Sequence, residues 1–254
     1  MFREFHYQVR GHAHLRNGSP VQDRTKYESR GGVQALCLAD GAGSASHAEF
    51  GAQAVVDEGC ALLPQRFADF AASGDGARVK VELLERLVAK LARTADRHGV
   101  GLPDLASTFL CVAVSGDRFL GAHVGDGVIG YLKHGELKVV SAPDNDEFVN
   151  QTTFVTSSRA AESMRLFRGS LDGVAGFILM SDGAGECLFN SRTGQLAGAC
   201  TKLITAVGTS PAHQGKTSDY RKRLRRFVDV TIRNATKDDC SIGILSRTPT
   251  PDGR

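Results

Sequence analysis

Apolar residues recur at helical spacing in two successive segments of the first hundred residues. The first segment runs from about Ser46 to Ala72, with Ser44 or Ser46 available as an N-cap, and the second ends near Gly99. Their apolar positions are Phe50, Ala54, Val55, Ala61 and Leu62 in the first and Val81, Leu84, Leu87, Val88 and Leu91 in the second. The pattern predicts two long amphipathic helices that are neighbours in sequence.

Short apolar runs separated by turn residues follow these helices. Turn signals stand at Gly116–Asp117, at Asp126–Gly127 and at His134–Gly135, and one more apolar run precedes a tail from about residue 248. Strands that follow one another as hairpins, rather than alternating with helices, are typical of antiparallel sheets. We therefore predict an α+β fold with segregated helices, not a doubly wound parallel sheet.

Two further helices are predicted in the last quarter of the chain. One spans about Gly194 to Val207, and the other places its apolar residues on one face. That face consists of Tyr220, Leu224, Phe227, Val228 and Ile232. The basic run Arg221 to Arg226 lies within the second helix and has two interpretations, a patch for nucleic acid or phosphopeptides and the solvated side of the helix. Leu224 interrupts the run and favours the solvated side.

Composition narrows the class of protein. The chain has 254 residues, and we predict one domain over residues 1–254 with a short disordered tail from about residue 248. Its net charge of +3 does not favour nucleic acid or membrane as a partner. Six scattered cysteines show no zinc-type spacing, and the N-terminus has no apolar leader. We expect a cytoplasmic protein with free thiols.

Aspartates stand at the ends of apolar segments throughout the chain. They are Asp23, Asp40, Asp126, Asp182 and the pair Asp238–Asp239, and the second and fourth are each followed by Gly-Ala-Gly. A single carboxylate of this kind caps a turn or helix start, but strands of one sheet share their ends in space. Converging carboxylates repel one another unless a cation neutralises them, and oxygen ligands without His or Cys suit Mg²⁺ or Mn²⁺.

The glycines beside two of these acids allow close approach of the backbone, so that the carbonyl of Gly41 can join a metal shell. Two metals about 3.5–4 Å apart activate a bridging hydroxide and clamp a phosphoryl group, so a phosphate ester is the expected substrate.

The order and spacing of six short motifs resemble those of the protein phosphatase 2C family, the metal-dependent serine/threonine phosphatases, over about residues 11–246. The motifs are QDRT (22–25), LADGAG (38–43), AST (106–108), HVGDG (123–127), LMSDGAGE (179–186) and KDDCSIGIL (237–245). The resemblance implies an α-β-β-α sandwich of two antiparallel sheets flanked by helix pairs. It also implies two Mn²⁺ or Mg²⁺ ions whose ligands are Asp23, Asp40, the Gly41 carbonyl, Asp182 and Asp238.

The resemblance assigns weaker roles to other residues. Asp126 matches an acid that reaches a third metal, Asp239 stands where a structural residue is expected, and Thr108 matches a Ser/Thr with a packing role. The resemblance also implies a phosphate-binding arginine, for which Arg16 and Arg24 are the candidates.

Two positions depart from the family pattern. Gln22 replaces a carboxylate before Asp23, and Ala42 stands where the family often has the histidine thought to protonate the leaving group. His14 is a candidate replacement, or a histidine paired to the backbone or exposed. The segment 145–164 is either a substrate-facing flap or an ordinary connection.

Three functions follow from these residues. The first is metal-dependent hydrolysis of phosphoserine and phosphothreonine in proteins, by a monomer whose partners are phosphorylated proteins. The second is a weakened pseudophosphatase that binds phosphoproteins or a regulatory partner without turnover. The third, a haloacid-dehalogenase-type phosphatase, needs an aspartate two residues after its nucleophile, where this chain has Ala42 and Ala184.

Overall fold

The computed structural model describes residues 1–143, 152–211 and 218–249. Within them the strands are β1 (Phe2–Val9), β2 (Arg24–Arg30), β3 (Val33–Ala39), β4 (Phe109–Ser115), β5 (Arg118–Val124), β6 (Val128–Lys133), β7 (Glu136–Ser141), β8 (Arg165–Ser170), β9 (Val174–Met180), β10 (Phe189–Asn190), β11 (Gln195–Leu196) and β12 (Cys240–Arg247). The α-helices are α1 (His12–Asn17), α2 (Ala48–Ala72), α3 (Gly76–His98), α4 (Ala160–Ser163), α5 (Asp182–Leu188), α6 (Ala199–Gly208) and α7 (Asp219–Phe227).

Ten of these strands form two antiparallel five-stranded sheets. Sheet A has the order β1-β12-β9-β6-β7 and sheet B the order β2-β3-β4-β5-β8. The sheets pack face to face through an apolar layer to which Leu36 and Leu38 of sheet B and Phe177 and Leu179 of sheet A contribute. The predicted sandwich of two antiparallel sheets is confirmed.

Helices cover the outer face of each sheet, which explains why strands such as β3 lack an apolar–polar alternation. In β3, Leu36 and Leu38 face sheet A, whereas Ala35, Cys37 and Ala39 face α2 and α3 in a separate core cluster. Helix α6 and the α7 segment cover sheet A in the same way. Because both faces of the strand are buried, its residues from Ala35 to Ala39 are all apolar.

The predicted end of α3 is confirmed, since Gly99 caps the helix in the left-handed conformation with φ of 67°. The predicted start of α2 is wrong, because His47 occupies the N-cap position and the Ser46 hydroxyl instead donates to Asp104 Oδ1 at 2.8 Å.

Two further predictions, the start of a helix and a hairpin turn, are also wrong. The helix expected from about Gly194 begins at Ala199, because Gln195–Leu196 pairs with Phe189–Asn190 as a small hairpin. The turn at Asp126–Gly127 does not close a hairpin, because β5 lies in sheet B and β6 in sheet A. The chain therefore crosses between the sheets at this point.

The basic run on α7 is the polar side of an amphipathic segment, as predicted. Leu224 is buried, and a π-helical turn, Val228–Ile232, continues the apolar face. Arg221 pairs with Glu4, and the guanidinium of Arg225 lies 5.5 Å from the ring centroid of Tyr7. Two of the basic residues thus fasten the helix to β1.

All six cysteines are free, five of them buried and Cys187 half-buried. Across residues 1–143, 152–211 and 218–249, we find no helix with the length and apolar character needed to span a membrane. At the start of the predicted tail, the amide of Thr248 donates to the carbonyl of Met1 at 3.0 Å. Residues 250–254 lie outside the described residues, so the disordered tail stays a prediction.

Candidate metal centre

The aspartates singled out in the sequence meet at one end of the sandwich. Asp40 follows β3, and Asp182 follows β9, as predicted. Asp23 precedes β2, which corrects the expectation that it ends a strand. The antiparallel register brings these ends together, because Arg24 pairs with Ala39. Asp40 interacts electrostatically with Asp23 and with Asp182.

The first Asp-Gly turn is held in an extended conformation by the start of β4. The amide of Asp40 donates to Thr108 Oγ1 at 2.9 Å, and the amide of Thr108 donates to the Asp40 carbonyl at 2.8 Å. Gly41 then forms an isolated β-bridge with Ser107. Thr108, predicted to have a packing role, therefore clamps the backbone of a candidate metal ligand.

The second Asp-Gly turn is helical, because Asp182 is the first residue of α5. The Ser241 amide donates to Ser181 Oγ at 3.0 Å, which ties the end of β9 to β12. The amide of Gly183 donates to Asp182 Oδ1 at 2.6 Å. The carboxylate is thereby oriented by its own helix terminus.

Both first glycines of these turns are required by close approach. A Cβ atom at Gly41 would lie 2.7 Å from the side chain of Ala48, and one at Gly183 would lie 2.1 Å from the carbonyl oxygen of Asp239. This packing explains why both positions are glycine, whereas the place of the Gly41 carbonyl in a metal shell stays a prediction.

Asp239 is an anchor beside this cluster. Its side chain is 2% exposed and accepts hydrogen bonds from the amides of Gly11, at 2.7 Å to Oδ1, and of Gln22, at 2.6 Å to Oδ2. Nδ1 of His14 lies 3.0 Å from Oδ1. The structural role predicted for Asp239 is thus to join the segment before Asp23 to the start of β12.

Part of the segment 145–164 lies on the rim of the cluster. Thr152 Oγ1 donates to Asp126 Oδ2 at 2.5 Å, and Phe154 packs in a small apolar group with Ala42. The Val155 amide donates to the Ser107 carbonyl at 2.8 Å. Residues 145–151 lie outside the described residues, so the flap stays a prediction.

Burial and mutual repulsion raise the pKa values of the clustered acids. Burial raises the pKa of Asp23 to about 7, with additions from the charges of Asp239 and Asp182 and partial offset by Asp40 and Ser241. Burial and the charges of Asp23 and Asp182 raise the pKa of Asp40 well above its usual range. Burial raises the pKa of Asp182 to about 6, partly offset by Asp40.

A cation suits this arrangement of acids. Both carboxylate oxygens of Asp23 are buried and have no hydrogen-bond partner among the described residues, and an uncompensated buried carboxylate is costly. In the same part of the chain, no three His, Cys, Asp or Glu side chains are arranged to ligate one ion. The residues fit a metal by chemistry and proximity, and ligation requires their side chains to reorient around the ion.

The weaker candidates lie around the cluster. Arg24 Nη1 donates to the carbonyls of Val21 and Asp23 at 2.6 and 2.8 Å, so this arginine is engaged with the backbone. Arg16 is exposed in the last turn of α1, and His14 lies in the same helix. Ala42 is 6% exposed and offers no proton at its position.

Comparison with known proteins identifies the family. A family model described as protein phosphatase 2C matches residues 10–229. The chain belongs to the protein phosphatase 2C family. The metal-ligand residues predicted from the sequence remain assignments by motif, now placed at one end of this protein phosphatase 2C fold.

A curated bacterial protein is similar in sequence to this protein phosphatase 2C member. "Serine/threonine-protein phosphatase 3" of Escherichia coli (strain K12) is 28% identical over 163 residues, a match that covers 62% of this chain and 64% of that protein. The match thus spans less than two thirds of the curated relative.

Solved structures confirm the fold. A bacterial serine phosphatase superposes with a TM-score of 0.66 at 16% identity, covering 99% of this chain and all of that one. The catalytic domain of the serine/threonine phosphatase PstP, in complex with two manganese ions, superposes with a TM-score of 0.62 at 18% identity, covering 98% and 99%.

Sequence reasoning missed several residues that support the site. Ser181, Ser241 and Thr152 form hydrogen bonds to the strands or acids of the cluster. Ser181 directly precedes the predicted ligand Asp182, and Ser241 lies in the same motif as the predicted ligand Asp238, which was the available signal. Thr152 is far in sequence from Asp126 and carried no signal.

Proposed function

We propose that this protein hydrolyses phosphoserine and phosphothreonine in phosphorylated proteins, using two divalent cations held by Asp23, Asp40, Asp182, Asp238 and the Gly41 carbonyl. The observation that carries the proposal is the buried carboxylate of Asp23, which lies beside Asp40 and Asp182 and whose oxygens have no hydrogen-bond partner among the residues that the structure describes. Such a group needs a cation or a proton.

When bound, Mn²⁺ or Mg²⁺ ions at this site supply an activated water and neutralise the charge of a phosphoryl group. The protein's own residues contribute position. Thr108, directly before β4, holds the turn at Asp40 through hydrogen bonds. The N-terminus of α5 orients Asp182, and Asp239 binds the amide of Gln22, next to Asp23. Asp126, which the Thr152 hydroxyl contacts, is the proposed ligand of a third, weaker ion.

Arg16 is the better placed of the two candidate phosphate-binding arginines, because it is exposed at the end of α1 whereas Arg24 contacts backbone carbonyls. The free cysteines fit a reducing, cytoplasmic setting for the phosphoprotein substrates.

Phosphate release from a phosphothreonine peptide and from 4-nitrophenyl phosphate tests the proposal. We expect turnover with Mn²⁺ or Mg²⁺ and none with chelator. Asp182→Asn is expected to lower kcat roughly 10³-fold, since several kcal/mol of transition-state stabilisation is lost. Asp172→Asn is the matched control, because Asp172 is exposed at the opposite end of β9, and it should leave kcat unchanged.

The second candidate, a pseudophosphatase that binds phosphoproteins, is favoured by Ala42, which brings no proton donor to its position. Calorimetry separates the two functions. Mn²⁺ binding without turnover of either substrate supports the pseudophosphatase, whereas full turnover of Asp182→Asn at saturating metal contradicts the site assignment.

A further inference from the structure

The short helix α1 is attached to the site by polar contacts and has no buried residue. The Gly11 amide donates to Asp239, and the Ala13 amide donates to the Lys237 carbonyl at 2.8 Å. His12 Nε2 lies 3.0 Å from Asn234 Oδ1. Because α1 has no buried apolar residue, these polar contacts fix its position and therefore the direction in which its side chains point.

The two ring nitrogens of His14 lie in different environments. Nδ1 is buried and lies 3.0 Å from Oδ1 of Asp239, although the angle at this contact falls outside hydrogen-bond geometry. His14 also lines a cavity of about 520 Å³ together with Asp238 and Glu186. Nε2 is the nitrogen left for this cavity, which adjoins a proposed metal ligand.

A proton donor is needed because a seryl or threonyl alkoxide is a poor leaving group. Ala42 offers none. His123 has a buried ring whose Nδ1 lies 2.7 Å from Ser141 Oγ, and burial together with the charge of Arg165 lowers its pKa to about 3. Lys237 lines the cavity but is exposed, and a lysine ammonium is a weaker acid than an imidazolium.

We propose that His14 is the general acid that protonates the leaving oxygen, with Asp239 as its positioning residue; this rests on the phosphatase activity proposed above. Water adds its oxygen to phosphorus while the bond from phosphorus to the seryl or threonyl oxygen breaks and its electron pair stays on that oxygen. The imidazolium transfers the proton of Nε2 to the same oxygen and completes the alcohol. The proton lost by the attacking water returns the ring to its starting state.

The test compares two substrates that differ in their need for a proton. His14→Asn keeps an amide where Nδ1 faces Asp239 and removes the proton at Nε2. We expect kcat for a phosphothreonine peptide to fall about 10²–10⁴-fold. For 4-nitrophenyl phosphate, whose leaving group departs as a stable anion, we expect kcat to stay within about twofold, since no proton is required.

Two further measurements make the result specific. Leu15→Ala, a change in the same helix at a residue whose side chain is exposed, should leave both rates unchanged. Mn²⁺ binding by calorimetry should be the same in His14→Asn and wild type, which shows that the acid cluster is intact without reference to activity.

The other outcomes overturn the proposal. Equal losses on both substrates indicate that His14 only supports the structure of the site, and unchanged rates on both exclude it as the acid. An equal loss in Leu15→Ala assigns the effect to the helix. If the wild type binds Mn²⁺ but hydrolyses neither substrate, the phosphatase function itself fails, and the role of His14 fails with it.

Discussion

The chain contains the tetrapeptide Asp-Gly-Ala-Gly twice, and the two copies have different structures. In the first copy, residues 40–42 continue from β3 with Gly41 bridged to Ser107, and a turn begins at Gly43. Residues 182–185 form the first turn of α5. Both copies nevertheless place a carboxylate in the same cluster, because each aspartate stands at the end of a buried strand, Asp40 directly after β3 and Asp182 one residue beyond β9.

The difference shows that neighbours in space select the backbone conformation of this tetrapeptide. Thr108 offers both a hydroxyl acceptor and an amide donor to Asp40, which continues the ladder of sheet B beyond the end of β3. At the second copy the contacts with β12 end at Ser181, and the carboxylate of Asp182 accepts the amide of Gly183 at the start of a helix. Glycine and alanine permit either outcome.

The largest expected effect comes from the first glycine of each copy. Gly183→Ala places a Cβ 2.1 Å from the Asp239 carbonyl oxygen, and Gly41→Ala places one 2.7 Å from Ala48. Since the obstacles include backbone atoms, we expect each change to destabilise the fold by about 3 kcal/mol or more, with Gly183→Ala the worse. Urea unfolding measures this, and a wild-type midpoint for Gly183→Ala would contradict the close approach.

The carboxylates of the two copies should behave alike although their backbones differ. In metal-free protein, the pKa of Asp182 is raised from 3.8 to about 6 and that of Asp40 is raised well above its usual range. The folded state therefore binds more protons than the unfolded chain, and stability falls as the pH rises from about 4 through the folded pKa values.

For Asp182 alone the loss amounts to about 3 kcal/mol at pH 8. Asp182→Asn or Asp40→Asn should recover stability at this pH although each lowers kcat. Thermal unfolding in chelator at pH 5 and pH 8 measures the effect. Mn²⁺ should remove it, because the cation binds the ionised acids, and Asp172→Asn should retain the wild-type pH dependence. If Asp182→Asn showed the wild-type dependence of stability on pH, burial would not destabilise the ionised carboxylate of Asp182.

The smallest effect is expected at the second glycine of each copy, where the sign depends on the conformation. A Cβ at Gly185 meets nothing closer than Val128 at 3.9 Å, and one at Gly43 meets nothing within 4 Å. Gly185→Ala lies inside α5 and should stabilise the protein by about 0.5–1 kcal/mol, since alanine favours a helix. Gly43→Ala lies in a loop and should change stability by less than about 0.5 kcal/mol. If Gly185→Ala and Gly43→Ala changed stability equally, the proposed difference in backbone conformation between the two tetrapeptides would be contradicted.

The sequence by itself determined the fold class and most of the acids of the cluster. Apolar periodicity records which faces are buried, so the paired helices, the hairpin of β6 and β7 and the end of α3 at Gly99 followed from it. The placement of Asp40 and Asp182 after apolar strands was also visible, because a carboxylate directly after a buried run is local information.

The tertiary structure alone decided how these parts meet. The crossing from sheet B to sheet A at Asp126, the small hairpin that delays α6, and the different conformations of the two tetrapeptides depend on which strands become neighbours. The anchoring of Gly11 by Asp239, across 228 positions, has the same origin. Local patterns specify which faces seek burial, whereas hydrogen bonds between distant segments form only once packing has brought their partners within about 3 Å.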